Sequence, residues 1–245
     1  MKIIVTESYK EMSRVAAELF EEEILKNPKV VLGLATGSTP IGTYGELVRK
    51  HREEKLDFSQ VTTFNLDEYV GLDDENPNSY RFFMEKHLFD KVNINKMNCH
   101  VPDGKTDNPD EYGKKYDNMI EAAGGIRIQL LGIGSNGHIA FNEPGDYLPV
   151  GTGLVNLTRQ TVEDNARLFQ SIDHVPTQAI SMGMGSIMKA EKIVILANGK
   201  GKAEIIKKFV EDARVSTRIP VSFLLLHPDV TLVCDKEAYS LVADS

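Results

Sequence analysis

Short apolar runs alternate with amphipathic segments along the chain, and this alternation restricts the possible folds more than any other feature. Runs rich in Val, Ile and Leu and bounded by Gly, Pro or Asp are typical of strands. They occupy residues 2–6, 30–36, 61–66, 126–133, 193–197 and 230–234. The segments between them predict helices near residues 8–20, 42–52, 79–89, 110–123, 163–169 and 201–212. Strands separated by helices predict the α/β class, with a mostly parallel, doubly wound sheet that has helices on both faces.

A single domain is expected over residues 1–245, because the chain contains no internal repeat, low-complexity tract or Pro/Ser-rich linker. The formal net charge is −8 and no segment is a basic tract, which argues against nucleic acid and anionic membrane as partners. No apolar run reaches the ~18 residues of a membrane span, and the apolar start is too short for a signal peptide. Cys99 and Cys234 are in no paired motif and are predicted to be reduced thiols. These features predict a cytoplasmic protein.

Three polar turns follow predicted strands directly, at residues 36–40, 65–71 and 132–145. In open α/β sheets, ligands bind beyond the carboxyl ends of the strands. We therefore expect these turns, which are far apart in sequence, to meet at one site.

The loop at residues 132–145, GIGSNGHIAFNEPG, contains the Gly-x-Gly-x-x-Gly spacing of a dinucleotide-binding loop. That function needs a helix starting at the last glycine. Pro144 and Gly145 would end any such helix within two turns, so the sequence argues against a nucleotide cofactor. The glycines are better explained as forming a tight turn.

The same loop contains His138, whose ordinary pKa near 6.5 suits proton transfer at neutral pH. Asn136 and Glu143 are close enough in sequence to orient its ring. A metal site formed by His138 and Glu143 is an alternative, but the other histidines offer no matching ligand spacing.

The other two turns carry complementary chemistry. LATGSTP, at residues 34–40, offers backbone N–H groups and hydroxyls before a helix, which is an arrangement that binds phosphate. It lacks the Gly-Lys-Ser/Thr of ATP-binding loops. In FNLDEYVGL, at residues 64–72, Asp67 and Glu68 would point to opposite faces of a strand, so only one can enter a given cleft as a base.

Together, LATGSTP, NLDEYVGL and GIGSNGHIAFNEPG resemble the motifs of the glucosamine/galactosamine-6-phosphate isomerase family, and specifically its short, non-allosteric glucosamine-6-phosphate deaminases. The runs NARLF (165–169), QAISMGMGSIM (178–188) and GKGKAE (199–204) extend the match over nearly the whole chain. The resemblance implies a modified Rossmann-like fold. It also implies an isomerising hydrolase that converts glucosamine 6-phosphate and water to fructose 6-phosphate and ammonia, without a metal or nucleotide.

The resemblance also implies roles for individual residues. Asp67 matches the base that moves a proton between C2 and C1 of the open-chain sugar. His138 matches the group that opens the sugar ring, and Glu143 matches the carboxylate that orients this histidine and stabilises its positive charge.

The substrate's phosphate group has its own set of matching residues. Gly37, Ser38 and Thr39 match part of the phosphate-binding turn, and Arg167 and Lys202 match the family's cationic phosphate ligands. Because the overall charge is −8, these local donors must overcome a repulsive field to bind a sugar phosphate.

Two positions depart from the family pattern. Asn136 stands where many members carry Asp, and an amide cannot stabilise imidazolium by charge. No arginine occurs between Arg127 and Arg159, where long-form members have an arginine-containing run that helps bind an activator. We therefore expect an unregulated enzyme that is a monomer or a low-order homo-oligomer.

Two alternative functions stay open at this point. A 6-phosphogluconolactonase or another sugar-phosphate isomerase would share the fold, but the lactonases lack NLDEYVGL and the FNEPG ending of the histidine loop. A sensor that binds sugar phosphate without catalysis would have no need of Asp67, His138 and Glu143 together.

Overall fold

The structure is a computed structural model that describes residues 1–166, 169 and 171–243. The strands are β1 (Lys2–Thr6), β2 (Val31–Leu34), β3 (Thr62–Asn65), β4 (Asp67–Tyr69), β5 (Cys99–His100), β6 (Ile128–Gly132), β7 (Gly153–Asn156), β8 (Gln178–Ser181), β9 (Lys192–Ala197) and β10 (Val230–Asp235). The helices are α1 (Tyr9–Lys26), α2 (Ile41–Glu54), α3 (Tyr80–His87), α4 (Pro109–Ala122), α5 (Arg159–Asn165), α6 (Met184–Met188), α7 (Ala203–Glu211) and α8 (Lys236–Tyr239).

The main sheet of the described chain has the strand order β1-β10-β9-β6-β2-β3-β5, and every pairing in it is parallel. Alternation along its strands buries both faces. In β9, Ile193 and Ile195 pack in a cluster with α4, α6 and α7, whereas Val194 and Leu196 pack in a second cluster with α1, α2 and α3. A strand buried on both faces is near-continuously apolar, as the β9 sequence is. The predicted α/β class, a mostly parallel sheet with helices on both faces, is confirmed.

A second, three-stranded sheet has the order β4-β8-β7 and antiparallel pairings, and it is absent from the sequence prediction. The chain enters it directly from the main sheet at Leu66. The Leu66 N–H donates to the carbonyl of Leu34 in β2, and the Leu66 carbonyl accepts from Met182 N, just after β8. The predicted strand at 61–66 therefore ends earlier, and a separate strand begins at Asp67.

Other boundaries also differ from the prediction. The strand predicted at 30–36 covers only Val31–Leu34, and residues 36–40 form the turn that leads into α2. The helix predicted at 163–169 begins earlier, at Arg159, with Thr158 as its N-cap, and ends at Asn165. Part of the predicted range, residues 167 and 168, lies outside the described residues. No helix in the described parts of the chain is long and apolar enough to cross a membrane.

Gly104 supports the second sheet from behind. Its carbonyl accepts the N–H of Gly71, just after β4. A Cβ at Gly104 would lie 2.1 Å from the carbonyl oxygen of Tyr69 in β4. Only glycine therefore lets the 103–106 turn approach this strand so closely.

We predict that Gly104→Ala lowers the free energy of unfolding by about 1–3 kcal/mol, because the added methyl group must push the turn away from β4. Gly45→Ala is the matched control. Gly45 is exposed in α2, and a Cβ there would meet no atom within 4 Å. Alanine is the better helix former, so this control should be as stable as the wild type or more stable. Urea denaturation measures both variants, and equal stabilities for the two would refute the packing argument.

Candidate active site

A cavity of about 510 Å³ lies at the carboxyl ends of β2, β3 and β6. Residues of all three predicted turns line it, including Gly37, Asp67 and His138. Lys202, from the segment before α7, and Thr161, from α5, also line the cavity. The structure thus brings the three turns together, as expected for a sheet of this type.

The turn after β2 is fixed by two tyrosines from different helices. The Tyr9 hydroxyl accepts the N–H of Gly42 at 2.8 Å and lies 3.2 Å from the Ser38 carbonyl and 3.1 Å from the Thr39 carbonyl. On the other side, the buried Tyr44 hydroxyl donates to the Ala35 carbonyl at 2.5 Å.

Within this turn, Gly37 has φ +101°, a conformation that side chains other than glycine rarely adopt. Gly37, Ser38 and Thr39 all line the cavity at the start of α2. The turn is therefore preorganised, with backbone N–H groups and hydroxyls available for an anion.

Asp67 and Glu68, at the start of β4, have opposite orientations. Asp67 is only 6% exposed and lines the cavity. Glu68 instead accepts the backbone N–H groups of Tyr69 at 2.8 Å, Tyr80 at 3.0 Å and Arg81 at 2.9 Å. Glu68 therefore joins β4 to the first turn of α3, and of the two carboxyl groups Asp67 is the one that lines the cleft.

Burial raises the pKa of Asp67 to about 8, and the neighbouring Glu68 carboxylate adds to this shift. Burial also raises the pKa of Glu68 to about 7, against the three backbone N–H groups that favour its charged form. A carboxyl group whose pKa is raised toward neutrality in a cleft is suited to accept and return a proton.

The histidine turn depends on the close approach of the backbone at Gly134. A Cβ at this position would lie 2.4 Å from the His138 ring. The Gly134 N–H donates to the His138 carbonyl, and the Gly137 N–H donates to the Gly134 carbonyl, both at 3.0 Å. No helix follows Gly137, so the helix that a dinucleotide-binding loop needs is missing here. The glycine at position 134 instead lets the backbone pass close to the His138 ring.

Glu143 faces this imidazole and is held on both sides. Its Oε1 lies 3.4 Å from Nδ1 of His138 and accepts the Thr161 hydroxyl at 2.5 Å. Its Oε2 accepts the side-chain amide of Asn136 at 2.8 Å. Burial alone would raise the pKa of Glu143, but the His138 ring, Thr161 and Asn136 together lower it to about 2. Glu143 is therefore a carboxylate at neutral pH, beside the ring that it can stabilise when protonated.

Asn136 contacts different groups from those expected. The sequence predicted an amide that orients the His138 ring. In the structure, the Asn136 Oδ1 accepts the backbone N–H of His138 at 3.0 Å, while its amide donates to Glu143. An aspartate with the same placement would set two carboxylates against each other, so the amide suits this geometry.

The two predicted cationic phosphate ligands have different outcomes. Lys202 lines the cavity, whereas Arg167 lies outside the described residues. In the described part of the chain, no group of three or more His, Cys, Asp or Glu side chains is placed to hold a metal ion.

Three cavity residues were missed by the sequence analysis. Tyr80 and Phe141 form an aromatic wall with ring centroids 6.3 Å apart and an interplanar angle of 12°. Tyr80 begins α3 behind the cap residue Ser79, so its sequence context indicated only a helix start. Thr161 was missed because α5 was predicted to begin four residues too late, at Glu163 rather than Arg159.

Comparison with known proteins shows which family the chain is similar to. The family model described as glucosamine-6-phosphate isomerases/6-phosphogluconolactonase matches residues 6–233. A glucosamine-6-phosphate deaminase of Clostridium perfringens is 52% identical over 242 residues, covering 99% of this chain and 100% of that protein. Another, of Thermoanaerobacter pseudethanolicus, is 50% identical over 244 residues, covering 100% and 96%.

A solved structure of a monomeric glucosamine-6-phosphate deaminase superposes with a TM-score of 0.96 at 44% identity, covering 98% of this chain and 100% of that one. A 6-phosphogluconolactonase from Trypanosoma cruzi has a TM-score of 0.77 at 21% identity, covering 99% and 97%, and so shares the fold alone. These matches place this α/β chain, with its cavity at the carboxyl ends of parallel strands, in a known family of proteins. The chain belongs to the glucosamine-6-phosphate isomerase/6-phosphogluconolactonase family. The resemblance inferred from the three motifs is confirmed.

We predict that Asp67→Asn stabilises the protein, and increasingly so as the pH rises. The carboxyl group has a pKa near 3.8 in the unfolded chain and about 8 in the folded protein, so the folded state holds the extra proton between these values. The contribution of Asp67 to wild-type stability must therefore fall from pH 4 to pH 8, whereas an amide at this position has no such dependence. Thermal melts should show a Tm gap of a few degrees in favour of the variant at pH 8, and a smaller gap at pH 5.

Asp146→Asn serves as the control, since this side chain is 83% exposed and pairs with Arg218 on the surface. The Tm difference between Asp146→Asn and the wild type should not grow as the pH rises. A Tm of Asp67→Asn that stays at or below the wild-type value at pH 8 would contradict the raised pKa.

Proposed function

We propose that this protein is a glucosamine-6-phosphate deaminase, which converts glucosamine 6-phosphate and water to fructose 6-phosphate and ammonia. The observation that carries the proposal is the shared cavity: Asp67 and His138 line one space beside the preorganised turn at residues 36–40, and Glu143 contacts the His138 ring. Relatives that bear this name match the full length of the chain at about half identity, which supports the choice within the family.

The sugar phosphate would be anchored at the turn formed by Gly37, Ser38 and Thr39, with Lys202 as a cationic ligand. A phosphate dianion needs concentrated positive potential here, because the chain as a whole carries −8. Arg167, which the family resemblance adds to this set, supplies a forked guanidinium contact in the proposal. Anchoring one end of a small substrate fixes the distance of its C1 and C2 from the catalytic groups.

His138 opens the pyranose ring in the proposed mechanism. Its imidazole takes the proton of the C1 hydroxyl and delivers a proton to the ring oxygen as the bond between this oxygen and C1 breaks, which gives the aldehyde. Glu143 remains ionised throughout, since its pKa is about 2, and it stabilises the imidazolium form before the proton is transferred.

Asp67 then carries the isomerisation. Its carboxylate takes the proton from C2 while the substrate's ammonium group passes a proton to O1, which gives an enolamine. The Asp67 carboxyl group then returns its proton to C1, which leaves an iminium at C2. Water adds to C2 and the protonated amine leaves as ammonia, which completes fructose 6-phosphate. A carboxylate whose pKa is about 8 is a stronger base than an exposed one, and this favours removal of a weakly acidic C–H proton.

A lactonase is the alternative within the fold. It would use the same anion-binding turn and the same histidine, with water attacking a lactone carbonyl, and would leave Asp67 without a function. A silent sugar-phosphate sensor would leave all three ionisable groups unused. The buried, pKa-shifted Asp67 in the cleft favours the deaminase over both.

The proposed setting is the cytoplasm, with sugar phosphate as the partner and no nucleic acid or membrane. Cys99 and Cys234 are buried thiols, which fits a reducing compartment. For assembly we propose a monomer or a low-order homo-oligomer. The solved deaminase relative is described as monomeric.

We predict that the purified protein releases ammonia from glucosamine 6-phosphate in a coupled assay, and that Asp67→Asn abolishes this release. Loss of a general base costs about 10²–10⁴-fold in kcat. Binding of the sugar phosphate, measured by calorimetry, should be retained, because the phosphate is held by other residues. Asp67→Asn with wild-type turnover would exclude Asp67 as the base. A wild type that hydrolyses 6-phosphogluconolactone and releases no ammonia would favour the lactonase instead.

We predict that Tyr9→Phe weakens substrate binding without slowing the chemistry. Losing the hydroxyl that ties Gly42 to the Ser38 and Thr39 carbonyls loosens the phosphate turn, so KM should rise about 3–10-fold while kcat changes less than about twofold. Tyr147→Phe is the matched control, since Tyr147 is 84% exposed and distant from this turn in sequence. A drop in kcat at constant KM would contradict a role of Tyr9 in the phosphate turn.

A further inference from the structure

The Thr161 hydroxyl lies between two functional segments of the chain. Thr161 is in the first turn of α5, is 5% exposed and lines the cavity. Its Oγ1 is 2.5 Å from Oε1 of Glu143, in the histidine turn, and 2.9 Å from Oγ1 of Thr158, the N-cap of α5. The hydroxyl thus joins α5 to the carboxylate that faces His138.

The direction of these hydrogen bonds follows from counting protons. Glu143 is ionised and can only accept, so Thr161 must give it its single hydroxyl proton. In the 2.9 Å contact, therefore, Thr158 is the donor and Thr161 the acceptor. Thr158 also accepts the backbone N–H of Thr161 at 3.2 Å. The Thr158 hydroxyl thus donates to the Thr161 hydroxyl, which donates to the Glu143 carboxylate. In such a chain, each hydrogen bond polarises the next.

The oxygen that Thr161 contacts is also the one that faces the imidazole. Oε1 of Glu143 lies 3.4 Å from Nδ1 of His138, while Oε2 is held by Asn136. Without the Thr161 hydroxyl, Oε1 would lose its short donor in a partly buried site. The carboxylate would then be free to rotate about the Cγ–Cδ bond of Glu143, toward Asn136 and away from the His138 ring. A side chain of this kind sets the position of a charge through its hydrogen bond to the charged group.

From this geometry we propose that Thr161 is a positioning residue for ring opening. Its hydroxyl fixes the Glu143 carboxylate against His138 and ties α5 to the histidine turn. The inference rests on the proposed function, since it assigns Thr161 to the same cleft and the same reaction. Thr161 acts through Glu143 alone, so its effect must disappear when Glu143 no longer carries a charge.

The test compares Thr161→Val, which keeps the shape and loses the hydroxyl, with Thr161→Ser, which keeps the hydroxyl and loses the methyl group. We expect kcat for ammonia release to fall about 10-fold in the valine variant, with KM within about twofold, and to stay within about twofold of wild type in the serine variant. Thr152→Val is the matched control. Its hydroxyl also donates to a carboxylate, Asp117, at 2.6 Å, but Thr152 does not line the cavity.

A double-mutant cycle with Glu143→Gln separates positioning from packing. In the Glu143→Gln background, adding Thr161→Val should lower kcat by less than about twofold, since the charge on which Thr161 acts is gone. A further 10-fold loss there would overturn the proposal. So would a serine variant as slow as the valine variant, because that assigns the effect to the methyl group. If the valine variant melts too low to assay, Thr161→Ala replaces it in the same comparisons.

The outcome is distinguishable from failure of the proposed function. Wild-type protein that releases no ammonia from glucosamine 6-phosphate overturns both proposals. Active wild type, with Thr161→Val within twofold of its kcat, overturns the Thr161 role alone.

Discussion

The site depends on the crossing at Leu66, where the chain leaves the parallel sheet and enters the antiparallel one. The backbone of this residue is bonded to both sides, to Leu34 in β2 and to Met182 after β8. The next residue, Asp67, is thereby placed at the mouth of the main sheet with its side chain in the cleft. Both sheets therefore hold in place the carboxyl group on which the proposed chemistry depends.

Two carboxyl groups at the site have pKa values that are shifted in opposite directions. Burial raises the pKa of Asp67 to about 8, whereas three neighbours lower that of Glu143 to about 2 although burial opposes them. One group is thus suited to exchange protons and the other to stay charged beside an imidazole. The difference comes from what surrounds each side chain, because the two side chains have the same acidic group.

Most of the main sheet could be predicted from the sequence because its strands follow from local periodicity. The meeting of the three turns could be predicted because it follows from the general geometry of parallel sheets. The second sheet was not predictable in the same way. Its strand β4 has three residues, and β7 alternates half-buried with exposed positions, so neither forms an apolar run. The place of Thr161 in the site could not be predicted for a related reason. Its contact with Glu143 spans 18 residues, and the start of α5 was misplaced.

The most direct test of the account is a crystal structure of the Asp67→Asn variant with glucosamine 6-phosphate bound. We expect the phosphate to lie against Gly37, Ser38 and Thr39. The ring oxygen or the C1 hydroxyl should be within hydrogen-bonding distance of His138, and C1 and C2 should contact the side chain at position 67. A sugar bound in this cleft with C2 turned away from position 67 would contradict the assignment of the base. Binding of the sugar outside the cleft would contradict the site itself.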